Sequence, residues 1–460
     1  MLLITGQYSQ FLADLSVRIQ HKLFLQAARD LVMKKLIALT SALFVTNAMA
    51  ADLNDIYQLS LTNDAELAAA KAKRDAGDYQ VSIARSALLP QISVGATSYN
   101  VTAEYDGYPK SELDAISYNA SISQTLFNLN SWYNYQAASS GGDASDLEYV
   151  LSEQQLILRS AAAYFNVLRA KENLDTAQAE EKAVKRQLEQ TQQRFEVGLI
   201  AITEVHEAEA SYDLSYANLI GQEAALDISY EALEQITGQR FEQLNHLQAD
   251  IEFSSPEKAV DEWVNAGLNK YAGIKLAEEG VNAAEYVRKA GWSNYAPEIN
   301  ASLSYVDGEQ ISSGVVYDGS TTTLALTASI PLFAGGSNYA KAKQAAAQST
   351  EASANLDLQQ RTVKNNIRSL YRKVQTDVLT VKARKRATIS SQSALEATET
   401  GYQVGTRNIV EVLNAQRNLF SAQRDYANAR YDYIIDLLNL KFFAGSLGEA
   451  DIQALNAWLK

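Results

Sequence analysis

Two hydrophobic rhythms divide this chain. In four short stretches apolar residues fall at every second position, the period of a β-strand with one apolar face. These are Ile92, Val94 and Ala96; Tyr118, Ala120 and Ile122; Ile299, Ala301, Leu303 and Tyr305; and Leu324, Leu326, Ala328, Ile330 and Leu332. Turn-rich polar stretches, Asp106-Gly107-Tyr108-Pro109 and Asp307-Gly308 through Gly319, separate the members of each pair, which predicts two β-hairpins. Their arms run to about 10 residues or more, the length a tilted strand needs to cross a bilayer. A sheet in lipid cannot keep an open edge, and four strands are fewer than the roughly eight of the smallest barrels. Closure therefore calls for several copies, and three copies bring 12 strands.

Elsewhere the rhythm is helical. Proline-free stretches from about Asn130 to Phe195 and from about Gly336 to Tyr402 predict rods of about 65 residues, roughly 100 Å at 1.5 Å per residue. Leu147, Leu151, Leu158, Ala161, Phe165 and Leu168 step in a coiled-coil rhythm, as do Val363, Ile367, Leu370 and Val374. Each rod stops at a glycine, Gly198 or Gly405, and a second helix returns. The returning seams are Val205, Ala208, Tyr212, Ser215, Leu219, Gln222 and Leu226, then Val412, Ala415, Leu419, Ala422, Tyr426, Ala429 and Tyr433. Gly141-Gly142 interrupts the first rod at about 1 kcal/mol per glycine relative to Ala and marks a candidate break.

The two halves repeat one another. Pro90-Gln91-Ile92 returns as Pro297-Glu298-Ile299, Tyr164 as Tyr371, Val197-Gly198 as Val404-Gly405 and Gly238 as Gly445, all 207 positions later. A period this long is a whole duplicated unit rather than a solenoid repeat. Residues 51–250 and 251–460 are thus expected to be two structural repeats, each with a helix, a hairpin, a long helix and a return helix.

Composition narrows the compartment. Met33-Lys34-Lys35, an apolar run from Leu36 to Val45 and the Ala48-Met49-Ala50 triplet are the three parts of a secretory signal. Residues 33–50 are read as that signal and 1–32 as a non-translated or upstream extension, so the mature chain is expected to start at Ala51. Its removal moves the net charge from −14 to −17, and no basic stripe of the kind phosphate contacts need is visible, which argues against nucleic acid. The chain has no cysteine, five prolines and three histidines. Those numbers exclude thiolate chemistry and leave His206 and His246 as surface residues rather than bases or ligands. No phosphate-cradling G-x-x-x-x-G-K loop occurs, and no pair of carboxylates converges by spacing, so neither an enzyme nor a cofactor is expected.

Ala163-Tyr164-Phe165-Asn166-Val167-Leu168, Gln192-Gln193-Arg194-Phe195-Glu196-Val197-Gly198-Leu199, Gly401-Tyr402-Gln403-Val404-Gly405-Thr406-Arg407 and Ala427-Asn428-Ala429-Arg430-Tyr431 carry a resemblance. So do Thr125-Leu126-Phe127 and Pro331-Leu332-Phe333. Over essentially its whole mature length the chain resembles the TolC family of outer-membrane exit ducts for efflux and type I secretion. The resemblance implies a homotrimer, mainly α with membrane β. A 12-stranded outer-membrane β-barrel continues into a 12-helix periplasmic α-barrel, with a belt formed near residues 239–262 and the carboxyl terminus. Ser255 before Pro256 reads as a helix start there by its own chemistry.

The resemblance also implies the site. Tyr402 and Arg407 would tie one coiled coil to Thr203 and Glu204 on its neighbour and hold the periplasmic tip closed, Glu204 standing where the family has the shorter Asp. Glu411 matches the first ring of carboxylates in the pore, while Asn414 occupies the second ring position and cannot ionise. The turns Val197-Gly198-Leu199 and Val404-Gly405-Thr406 would meet a periplasmic adaptor. An inner-membrane transporter of RND, MFS or ABC type would supply the energy. The competing reading is a periplasmic coiled-coil adaptor or scaffold without a pore, which has no use for paired strands of lipid length.

Overall fold

The computed structural model describes residues 51–104, 106–107, 110–312 and 315–460. The signal at 33–50, the extension at 1–32 and the turn residues Tyr108 and Pro109 lie outside the described residues. Helices α1 (Leu53–Asn63) and α2 (Ala65–Ser86) lead into strands β1 (Gln91–Ala103) and β2 (Ser111–Phe127), then the long α3 (Leu129–Glu196) and returning α4 (Ile202–Thr237). The same succession follows again: α5 (Val260–Lys270), α6 (Ala272–Ser293), β3 (Glu298–Ser312), β4 (Val315–Ser329), α7 (Ser337–Gln403) and α8 (Ile409–Phe443), with a last short helix α9 (Glu449–Asn456).

The four strands form one antiparallel sheet in the order β1-β2-β3-β4, which leaves β1 and β4 as free edges. Register places like with like. Ile92 faces Ile122, Ile122 faces Leu303 and Leu303 faces Leu324, whereas Ser93 faces Ser121, Ser121 faces Ser304 and Ser304 faces Thr323. One face is therefore apolar and the other hydroxyl-rich. Among the described residues nothing covers the apolar face: Val94 is 81% and Leu324 80% exposed. A soluble sheet buries such a face; a membrane sheet turns it to lipid. The fourth arm begins and ends earlier than the alternation suggests: β4 starts at Val315, inside the stretch read as turn, and stops at Ser329, with Ile330 and Leu332 left beyond the ladder around Pro331, which has no N–H to donate.

Helices α3 and α7 run for 68 and 67 residues. Asn128 starts α3 by accepting the Ser131 N–H at 2.9 Å, satisfying one of the amides a helix start leaves unpaired. No break occurs at Gly141-Gly142, contrary to the expectation from helix propensity. A Cβ on Gly142 would come within 2.8 Å of Val81, and one on Gly77 within 2.5 Å of the Ser145 hydroxyl. The glycines let α2 cross close to α3, and that packing outweighs their intrinsic cost.

The main core lies where α1, α3, α5, α8 and α9 meet. Tyr164, Phe165, Tyr431, Ile434 and Leu440 are fully buried there, with the Tyr164 hydroxyl donating to the Asn245 carbonyl at 2.8 Å and the Tyr431 hydroxyl to Glu172 at 2.7 Å. Short bridges between residues 51, 244–248 and 458–459 border this core. Ala51 bridges Leu244, Leu247 bridges Leu459, and the Gln248 N–H donates to the Trp458 carbonyl at 2.9 Å. Ser255-Pro256 does not start a helix. Phe253 is buried against Tyr433, whose hydroxyl donates to the Ser254 carbonyl at 2.8 Å, so tertiary contacts hold this stretch extended until α5 begins at Val260 behind an uncapping Ala259.

One titratable cluster sits between α7 and α8. Asp436 is buried and takes the Lys373 ammonium at 2.8 Å. Burial, then the charge and hydrogen bond of Asp436, push the Asp377 carboxyl up to about 7. Asp377 holds its proton in the folded chain above the usual carboxylate range, so folding takes up a proton between about pH 4 and pH 7. Stability from this group is fully present below about pH 4 and is lost as pH rises through about 7. Urea titrations across that window are expected to give a falling stability that flattens above pH 7, and Asp377→Asn is expected to remove the slope.

Candidate functional site

Both long coiled coils end in the same kind of turn. At the end of α3, Gly198 takes φ +74° while its N–H donates to the Phe195 carbonyl and the Leu199 N–H to the Arg194 carbonyl, each at 2.9 Å. At the end of α7, Gly405 takes φ +80°, the Thr406 N–H donates to the Gly401 carbonyl at 2.9 Å, and the Thr406 hydroxyl reaches the same oxygen at 3.1 Å. These bonds satisfy the last helical carbonyls, and the left-handed backbone they need suits glycine. What remains outside is apolar. Leu199 is 68% and Val404 70% exposed, with Val197 equally bare.

The two turns belong to one end of the molecule. The Arg194 guanidinium lies 4.8 Å from the centre of the Tyr402 ring, a cation–π contact that fastens the end of α3 to the end of α7. Beneath it Val184, Ala208, Ile409, Val412 and Leu413 form a second apolar cluster with Leu188 and Tyr402 at its margin. A polar cavity of about 350 Å³ opens between α3, α7 and α8. The Gln187 amide nitrogen, the Gln416 amide oxygen and the Tyr402 hydroxyl all line this cavity, and all are buried without a protein partner.

Within one chain the tip residues pair differently from the ties the resemblance implies. Arg407 pairs with Glu411 one helical turn along, and Asn408 caps α8 by accepting the Glu411 N–H at 2.9 Å. Glu411 thus sits in the first turn of α8 beside a cation. Asn414 is exposed one turn further on, Thr203 is exposed and Glu204 half-buried in the first turn of α4. Neither Thr203 nor Glu204 makes a side-chain hydrogen bond or ion pair among the described residues. The chain therefore joins Arg407 to Glu411 and Tyr402 to Arg194. Sequence reasoning missed Asn408 and Arg194. The first carries a legible signal, an Asn directly before an apolar helix start; the second does not, because its partner lies in the other half of the chain. His206 lies on the surface, 3.1 Å from Glu209.

The sequence pattern of the outer membrane efflux proteins matches residues 56–239 and again residues 267–446. The chain belongs to that family. It is 37% identical over 451 residues to the outer membrane protein TolC of Vibrio cholerae, covering 93% of this chain and 99% of that one. Against TolC of Escherichia coli K12 the identity is 34%, over 92% and 87% of the two chains. The proteases secretion protein PrtF of Dickeya chrysanthemi is 26% identical over 93% and 96%. Among solved structures the fold is similar to the CusC channel, with a TM-score of 0.76 at 17% identity over 86% of this chain and 92% of that one. The Campylobacter jejuni CmeC outer membrane channel gives 0.75 at 18%, over 89% and 90%. Family membership places the chain in the outer membrane, with an extension into the periplasm.

Proposed function

We propose that three copies of this chain form an outer-membrane channel-tunnel, the exit duct of a tripartite efflux pump or type I secretion system. Each repeat, 51–250 and 251–460, supplies two strands and two long helices, so three chains give 12 of each. The observation that carries this reading is the open four-stranded sheet with its bare apolar face, continuous with rods of about 100 Å. A periplasmic scaffold would leave that face in water. The duct encodes no energy source and performs no chemistry on what it passes. An inner-membrane transporter drives transport through a periplasmic adaptor that docks on the apolar turns around Leu199 and Val404.

The tip is the gate. Three Arg407–Glu411 pairs crowd the narrow end, and Thr203, Glu204 and Tyr402 complete the network across the joint between protomers. In a Gram-negative host lacking its own exit duct, the chain is expected to restore resistance to detergents and dyes. The double variant Leu199→Asp, Val404→Asp is expected to reach the outer membrane as a trimer and still leave the host sensitive, because charge replaces the apolar docking turns. Full resistance with both aspartates in place would remove the turns from the docking site.

A further inference from the structure

The polar cavity near the tip holds none of the chain's own groups to satisfy its walls. At about 350 Å³ it falls at the lower end of small-molecule sites, and of the side chains that border it only Ala183 and Val412 are aliphatic. Helix α3 supplies Arg186, Gln187 and Arg194, α7 supplies Glu399 and Tyr402, and α8 supplies Gln416. Arg186, Gln190 and Arg194 stand four residues apart and so share one face of α3, with Gln187 beside them.

The deepest of these groups are orphans. Gln187 is only 8% exposed and Gln416 only 5%, yet the Gln187 amide nitrogen and the Gln416 amide oxygen have no partner in the protein. The Gln416 nitrogen donates to Glu399 at 3.5 Å, which leaves the oxygen as its unmet atom. The Tyr402 hydroxyl is buried and unpaired as well. Buried polar groups are ordinarily hydrogen-bonded, so three orphans on one cavity point to an occupant that completes them.

The unmet groups fix the chemistry of that occupant. Gln187 offers an N–H, and neither Arg186 nor Arg194 makes an ion pair among the described residues, so the occupant brings anionic acceptors. Two guanidinium groups against the single carboxylate of Glu399 leave the lining net positive, which disfavours a cation. Arg186 and Arg194 are about 12 Å apart along α3, a span that suits a carboxylate at each end of a short carbon chain once the arginine side chains fold inward. The Gln416 oxygen asks for a donor between them.

We infer that this cavity binds a small dicarboxylate carrying a hydroxyl or amino group. Arg186 and Arg194 take its carboxylates, the Gln187 N–H donates to one of them, and the hydroxyl or amino group donates to the Gln416 oxygen. Such a ligand touches α3, α7 and α8 at once and ties together the helices that carry the tip. The site is complete within one chain and does not depend on the trimeric channel reading.

Titration calorimetry of the full-length mature protein in detergent, at fixed ionic strength, tests the site with malate as the probe and with succinate and sulfate beside it. Malate is expected to bind saturably, one per chain, with a dissociation constant of about 1 mM or tighter. Succinate lacks the hydroxyl and is expected to bind about tenfold more weakly, and sulfate to give no saturable heat. Arg186→Gln changes an exposed residue and is expected to weaken malate about tenfold. Gln416→Met keeps the shape and removes the amide, so malate and succinate are expected to bind it equally. No saturable heat from malate, or equal heats from all three anions, overturns the inference and leaves a cavity filled by water. Malate binding unchanged in both variants overturns the assignment of these residues. Neither negative result touches the channel reading, since the titration does not require the protein to conduct.

Discussion

Leu324→Arg is expected to abolish assembly in the outer membrane, while Thr323→Arg, one residue away, is expected to leave it nearly intact. Leu324 lies opposite Leu303 on the bare apolar face, and Thr323 lies opposite Ser304 on the hydroxyl face. If the apolar face meets lipid, an arginine near the middle of the band costs about 2–4 kcal/mol per protomer, and a trimer multiplies that penalty threefold. On the water-filled side the same arginine costs little. Folding yield into lipid vesicles, read by heat-resistant mobility, separates the two. Equal behaviour of the two variants would mean that the sheet does not have one lipid face and one aqueous face.

The second large effect is expected at the tip. Arg407 pairs with Glu411, so in the proposed trimer Arg407→Ser leaves three bare carboxylates crowded at the narrow end. They repel one another, which opens the tip, and they draw cations, as charged rings do in selective pores. Conductance is expected to rise several-fold with stronger cation preference. Glu411→Ala removes the ring, and because Asn414 supplies no second one, cation preference is expected to fall close to that of a neutral pore. Unchanged conductance and selectivity in both variants would place these side chains away from the constriction.

Much of this architecture was legible because the rhythms are local. Period-two alternation at Leu324 and Leu326 needs no knowledge of the rest of the chain, nor do the seams beginning at Val205 and Val412. The glycines after Glu196 and Gln403 announce their turns by a backbone demand that few other residues meet. Errors arose where a distant contact decided the outcome. Gly141-Gly142 looked like a weak point by propensity, yet Gly142 is a place where α2 packs directly on α3. Ser255-Pro256 looked like a helix start, yet Tyr433 and Phe253 hold it extended. At the site, exposure of the tip turns follows from sequence. The Arg407–Glu411 pair is also a simple i,i+4 spacing, overlooked because the resemblance pointed to Glu204. Arg194 over Tyr402 could not be read, since it joins the ends of the two repeats.

The most direct test of the central claim is single-channel recording of the purified mature protein in planar lipid bilayers. The account predicts spontaneous insertion and small, stable, cation-preferring currents from a trimer with a closed tip. A folded, trimeric protein that never inserts or never conducts would contradict it and return the chain to the periplasm as a scaffold without a pore.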